Sequence, residues 1–296
     1  MLLTLAAALT LAAAQQIDTT IAAQRGQRLL VNAYGGEVTV RSWDRSAVRV
    51  EATTGSNRVE VSSSPSAVTV RTQGRRGHST EVGLRISVPI WMPLSLSGVH
   101  TNATIAGTRA PISVETVEGE VNVTGGDGLI SLRSVQGSVS LRGARGRISV
   151  NSVNEDVQVT NSTGEIMAET VNGEIALEGV DAATVDASTV NGDISYAGPI
   201  RNGGRYSLST HNGDITLTVA EGASANVAVS TFNGEFESEF PVPLSGTRKG
   251  KGFNFTLGSG SAQVTLESFQ GTIQLVRPGS AKDKERRERH KRHDDD

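Results

Sequence analysis

Six carboxylates recur at one position of a repeated phrase. Glu120, Asp156, Glu174, Asp193, Asp214 and Glu235 each precede an aliphatic or aromatic residue, and Asn154, Asn172, Asn191, Asn212 and Asn233 stand two places ahead of the last five. Oxygen ligands stacked in neighbouring rows are what a hard cation such as calcium takes. Glu174, Asp193, Asp214 and Glu235 are therefore the candidate calcium ligands. Two unit charges about 4.8 Å apart in water, however, repel by only about 0.9 kcal/mol. An exposed column tolerates that without an ion, and the asparagines can bond to backbone at a turn. The phrase also departs from the glycine-aspartate nonapeptide of calcium-binding β-rolls. No cofactor is expected, and calcium is the one candidate ion.

A second group interrupts the repeat. The stretch "YAGPIRNGGRY" carries Tyr196, Arg201, Arg205 and Tyr206. Excursions from a repeat often form binding loops, which makes these four the candidate binding residues. Polysaccharide-acting enzymes such as glycosidases and lyases use paired carboxylates with sugar-stacking rings, and a site near residues 193–214 would draw on Asp193 and Asp214. Against this, the carboxylates form a periodic row rather than a departure from it. No catalytic residue is assigned. The five histidines are scattered, and His211 stands where most copies have valine. Neither "GHSTE" (77–81) nor "GSGSA" (258–262) is a nucleophile elbow, because no helix follows.

These side chains are positioned by the repeat itself. Its copies are "TVEGEV" (116–121), "SVQGSV" (134–139), "SVNEDV" (152–157), "TVNGEI" (170–175), "TVNGDI" (189–194), "THNGDI" (210–215), "TFNGEF" (231–236) and "SFQGTI" (268–273). Their starts differ by 18, 18, 18, 19, 21, 21 and 37 residues. The last gap, about twice the others, implies a degenerate copy within residues 245–261. Weaker copies lie between, and Gly119, Gly128, Gly137, Gly146, Gly164 and Gly173 fall on one nine-residue ladder. Periodicity of this kind marks a stacked solenoid. After each turn, aliphatics alternate with polar residues, as in half-buried strands. Asn-Gly belongs at the corner, where positive φ costs these residues little. Each coil then gives two short strands, paired with the coils above and below.

Composition agrees. Apolar residues make up 36% and aromatics 4%, with 33 glycines among 296 residues, so the core is built of Val, Ile, Leu and Ala between frequent turns. A net charge of −3 points to no nucleic-acid partner. The absence of cysteine excludes disulfides, thiolate metal sites and cysteine nucleophiles.

Four regions follow. The apolar stretch 1–14, ending in Ala12-Ala13-Ala14, has the form of a signal peptide too short to span a bilayer. Residues 15–108 form an irregular β-rich cap, with Trp43 and Trp91 as plugs and 71–81 as a mobile loop. Residues 109–278 form the solenoid, in which "EFPVPL" (239–244) would help to cover the open end. Residues 279–296 end in "KDKERRERHKRHDDD", which has nothing to bury and is read as a disordered tail.

The "TVNGDI" phrase, the leader, the irregular strand-rich start and the glycine ladder together resemble a bacterial family of β-strand-repeat envelope proteins regarded as candidate adhesins, with no established chemistry. The resemblance covers residues 30–276. It implies an all-β, right-handed, parallel β-helix-like solenoid, here with coils of about 18–21 residues between copies, lying in the cell envelope without catalytic residues. The expectation is an exported, non-enzymatic protein of periplasm, outer surface or medium. It would bind or scaffold an envelope protein or glycan and carries no transmembrane segment. The alternative is a polysaccharide-acting β-helix enzyme.

Overall fold

The structure is a computed structural model that describes residues 15–54, 58–73, 82–242 and 252–280. The leader 1–14, most of the loop 71–81, residues 243–251 and the charged tail from 281 lie outside the described residues. Among the described residues there is no helix; twenty-four strands form one mostly parallel, unclosed sheet.

From Ile112 onward each winding lays one strand on each of two faces. The first face carries Ile112–Glu115, Asp127–Arg133, Arg145–Asn151, Thr163–Glu169, Asp181–Asn191 and Arg205–Asn212, each parallel to the next. The second carries Val121–Thr124, Val139–Arg142, Val157–Thr160, Ile175–Glu178, Ile194–Ala197 and Ile215–Thr218. Equivalent letters of the phrase are vertical neighbours: Val121, Val139, Val157, Ile175, Ile194 and Ile215 form one buried column. The period-two pattern sends these aliphatics inward, and stacking removes them from water on both sides.

The phrase can be read letter by letter as inter-rung bonding. In every copy but the one at Thr231, its first residue is a buried Ser or Thr whose hydroxyl donates to a carbonyl one rung back. Ser134 reaches Gly119 O at 3.0 Å, Ser152 reaches Gly137 O at 3.1 Å and Thr210 reaches Gly192 O at 2.9 Å. The fourth residue is glycine in every copy but one, Glu155 being the exception, because the rungs approach closely there. A Cβ on Gly192 would lie 1.9 Å from Gly173 O, and one on Gly213 would lie 2.0 Å from Gly192 O. At these two rungs no side chain fits the gap.

Two departures lengthen the windings. Ala183 is an extra residue, since Gly164 pairs with Ala182 and Glu165 with Thr184. The loop after Ile194–Ala197 then delays the next strand, so that Thr184 pairs with Arg205.

At the N-terminal end, Arg28–Trp43 and Leu94–Ala106 pair in parallel, each passing through the corner. Antiparallel strands close this end: Gln15–Ala22 on Ala47–Thr54, the latter on Val82–Pro89, and Arg58–Ser63 on Ala67–Gln73. Half-buried Trp91 packs against the core, and Trp43 Nε1 donates to Ala47 O at 2.8 Å.

Of the copy expected within 245–261, residues 245–251 lie outside the described residues, and the described part forms no parallel rung. Ala262–Gln270 is inserted between Arg205–Asn212 and Ala225–Thr231, and Ile273–Val276 lies between Ile215–Thr218 and Phe236–Ser238. The phrase "SFQGTI" thus occupies the rung directly above "THNGDI", and "TFNGEF", earlier in the chain, lies outside it. The doubled gap reflects an excursion: Phe253–Leu257 runs antiparallel on Ala225–Val229. It occupies the outer edge of that face, where a further parallel rung would otherwise stack.

Candidate functional site

The corner holding the repeated phrase presents three adjacent columns along the stack. At the fifth letter, the carboxylates act as ties. Asp156 Oδ1 accepts the Glu174 N–H at 2.6 Å, Asp193 Oδ1 accepts the Asp214 N–H at 2.8 Å, and Asp214 Oδ1 accepts the Thr272 N–H at 2.7 Å. Glu174 is half-buried and Glu235 exposed. Among the described residues, no group of three or more His, Asp or Glu side chains is arranged to hold a metal ion. These oxygens face backbone donors of the next rung, which a short, in-register Asp reaches without rearrangement.

At the third letter, the asparagines form an amide ladder. Asn172 Nδ2 donates to Asn154 Oδ1 at 3.1 Å, Asn191 Nδ2 to Asn172 Oδ1 at 2.9 Å, and Asn212 Nδ2 to Asn191 Oδ1 at 2.8 Å. The side chains bond to one another rather than to backbone, because in-register rungs bring identical amides within reach. Toward the N-terminal end this column passes through Gln136 and Glu118 to His100, whose Nδ1 lies 2.6 Å from Glu118 Oε2.

At the second letter, the side chains point outward. Val117, Val171 and Val190 are 45%, 41% and 43% exposed, and Phe269 and Phe232 are 39% and 61% exposed. With Tyr34 at the far end and Val99, Val135, Val153 and His211 between, they make one apolar ridge along the corner. The last rungs carry stacked rings: His211 and Phe269 are 4.6 Å apart at 7°, and Phe269 and Phe232 are 4.9 Å apart at 5°. Treating all aliphatics of the phrase as core misses this ridge. One signal was available, since a position that accepts Val, His and Phe in successive copies cannot be a close-packed interior site.

The loop residues divide into two kinds. Tyr196 and Tyr206 are fully buried, edge to face at 5.6 Å. Tyr196 Oη donates to Pro199 O at 3.0 Å, while Tyr206 Oη donates to Ala182 O and accepts the Arg201 N–H, both at 2.8 Å. Burial, with Tyr206 alongside, pushes the Tyr196 phenol well above its ordinary range. The rings therefore support the loop from beneath. Arg201 and Arg205 remain exposed. Arg201 grips Asp181 through Nε and Nη2, the latter at 2.6 Å, and this holds the Asp181 carboxyl below the ordinary carboxylate value.

Beside that ion pair runs a shallow groove of about 810 Å³. Gly128, Gly146 and Gly164 lie along it, with Leu129 and the Arg147–Glu165 pair at one side and Arg201 at the end. The tight stacking of these glycines leaves its floor without side chains: a Cβ on Gly164 would lie 2.0 Å from Gly146 O.

The chain belongs to the Toastrack DUF4097 family, whose profile matches residues 11–276. Among solved structures the chain is similar to a candidate adhesin from Bacteroides fragilis, at 12% identity and a TM-score of 0.48, over 90% of this chain and 99% of that one. A candidate adhesin from Parabacteroides merdae shows 13% identity and a TM-score of 0.46, over 88% and 96%. A candidate lipid-binding protein from Parabacteroides distasonis shows 11% identity and a TM-score of 0.37, over 88% and 96%. A search of curated proteins gives no match.

Proposed function

We propose, with membership of the Toastrack DUF4097 family as the premise, that this chain is an exported, non-enzymatic protein of the bacterial cell envelope. It presents an adhesin-like binding or scaffolding surface to an envelope protein or glycan. In this reading residues 1–14 direct export, 15–108 cap the stack, 109–278 wind as a right-handed solenoid, and 279–296 trail as a charged extension. Windings of 18, 19 and 21 residues fit the offsets Val157 to Ile175, Ile175 to Ile194 and Ile194 to Ile215. The destination is the periplasm, the outer surface or the medium. Among the described residues no helix is long and apolar enough to cross a membrane.

The observation that carries this reading is the corner ridge. A row of exposed and half-buried, mostly apolar side chains beside an amide ladder is a surface for recognition, since exposed apolar patches on soluble proteins mark interaction sites. Fractionating cells that express a tagged chain, then measuring its binding to isolated envelopes, tests both halves. Enrichment in exported fractions and a loss of about tenfold in binding for Phe232→Asp/Phe269→Asp are expected. Retention in the cytoplasm, or envelope binding indifferent to the ridge, overturns the reading.

The groove beside Arg201 favours a second reading, a polysaccharide-acting enzyme, because Glu165 and Asp181 both line it. Turnover of an envelope polysaccharide that is lost on Glu165→Gln or Asp181→Asn would establish it in place of the first.

A further inference from the structure

The ridge runs through ten rungs in the order Tyr34, Val99, Val117, Val135, Val153, Val171, Val190, His211, Phe269 and Phe232. Adjacent rungs are about 4.8 Å apart, so it is about 43 Å long but only one side chain wide. We propose that its partner is a second copy of this chain, docked antiparallel along the same ridge by a two-fold axis between the Val153 and Val171 rungs. This rests on the adhesin-like reading above and names the partner of that surface as the protein itself.

Spacing is the first reason. A partner that fills the ridge must present apolar groups every 4.8 Å or so. An extended peptide lying along the axis shows same-face side chains only every 6.6 Å or so and is out of step within three rungs. A second stack of rungs has the required repeat at every step.

Self-complementarity is the second. A two-fold interface brings residue i against j and j against i. In the antiparallel arrangement Tyr34 meets Phe232, Val99 meets Phe269, and Val117 meets His211, so the bulky rings fall at both ends and the valines in the middle. Charge in the two columns that flank the ridge directly is the third reason. The flanking columns place Glu115 opposite Ser209, Arg133 opposite Ser188, Glu169 opposite Asn151, and Glu267 opposite Ser97. On the ladder side Glu118 faces Asn212 and His100 faces Gln270. In these two columns no like charges oppose one another, and the carboxylates of the fifth letter, where Asp156 would match Glu174, lie beyond the ladder and are partly taken up by backbone N–H groups. Parallel docking would instead set Glu115 against Glu118.

A strip this narrow buries less than the roughly 800 Å² per partner of a standard stable interface. Association is therefore expected to be weak and to grow with concentration. Sedimentation of the purified chain should show monomer giving way to dimer as concentration rises. Val171→Asp, next to the axis, should weaken dimerisation about tenfold or more, because it places an unpaired carboxylate in an apolar contact. Met167→Asp, which alters a 43% exposed side chain on the flat face, should leave it unchanged. Thermal melting confirms that each variant is folded.

Because the chain lacks cysteine, the orientation can be read by cross-linking. A mixture of Val117→Cys and His211→Cys proteins should give mixed disulfide dimers in preference to self-linked ones. Monomer at every concentration, equal weakening by Met167→Asp, or self-linked dimers alone would overturn the proposal. Envelope binding by a strictly monomeric chain would overturn it while leaving the adhesin-like reading intact.

Discussion

From Ile112 to Thr218 each rung lies on the one that precedes it in the chain, whereas between Ala225 and Val276 that order is broken. In the first region winding and stacking are the same process. In the second, the chain skips a rung, turns back through Phe253–Leu257 and fills the skipped place with 262–276. Both regions use the same bonds. Ser268 Oγ donates to Gly213 O at 2.9 Å, as Thr210 donates to Gly192 O at 2.9 Å. A rung is therefore specified by the phrase it carries and not by its place in the sequence.

The sharpest challenge to that equivalence is at the contact glycines. Gly192→Ala puts a methyl 1.9 Å from Gly173 O and should cost about 3 kcal/mol or more in chemical denaturation. Gly271→Ala puts one 2.0 Å from Gly213 O, and a matching loss is expected if the inserted rung is held as firmly. A much smaller loss would mean that the inserted rung yields where the regular ones do not. Next are the hydroxyls. Thr210→Val should cost about 1 kcal/mol by leaving the half-buried Gly192 carbonyl short of a donor. Thr231→Val in the outermost rung should be neutral or slightly stabilising, since Thr231 Oγ1 is buried without a partner.

A smaller effect separates contact from conformation. Gly203, in the loop between Tyr196 and Tyr206, has φ +72 and nothing within 4 Å of a Cβ. Gly203→Ala should cost only about 1 kcal/mol, from the left-handed backbone alone, which is well below Gly192→Ala. Least of all is the pH response of the same loop. The Arg201 guanidinium lowers the Asp181 carboxyl in the folded state. That stabilisation is present above the ordinary carboxylate value and is lost as pH falls through the lowered one. Asp181→Asn should flatten the acid side of the stability profile slightly, the pair being exposed and screened.

Much of the architecture was legible because it follows from periodicity. The aliphatic at the sixth letter, the glycine at the fourth and the alternation after the turn each answer to a local rule, and Val121, Gly137 and Ile194 occupy the places those rules assign. Among the candidate residues, the exposed Arg201 and Arg205 were legible as parts of an excursion. The burial of Tyr196 and Tyr206 was not, because the ring pair and the Ala182 carbonyl that receives Tyr206 come together only across rungs.

By itself the sequence determined the rung: its inward and outward faces and the corner where glycine recurs, all set by contacts among neighbours in the chain or one repeat away. Only the tertiary structure decided the order of the last rungs and the outward turn of the second letter. Copies of one phrase are near-equivalent partners, so which of them meet is chosen by how strands stack in space. Whether a valine is core or ridge likewise depends on which side of the corner its rung presents to water.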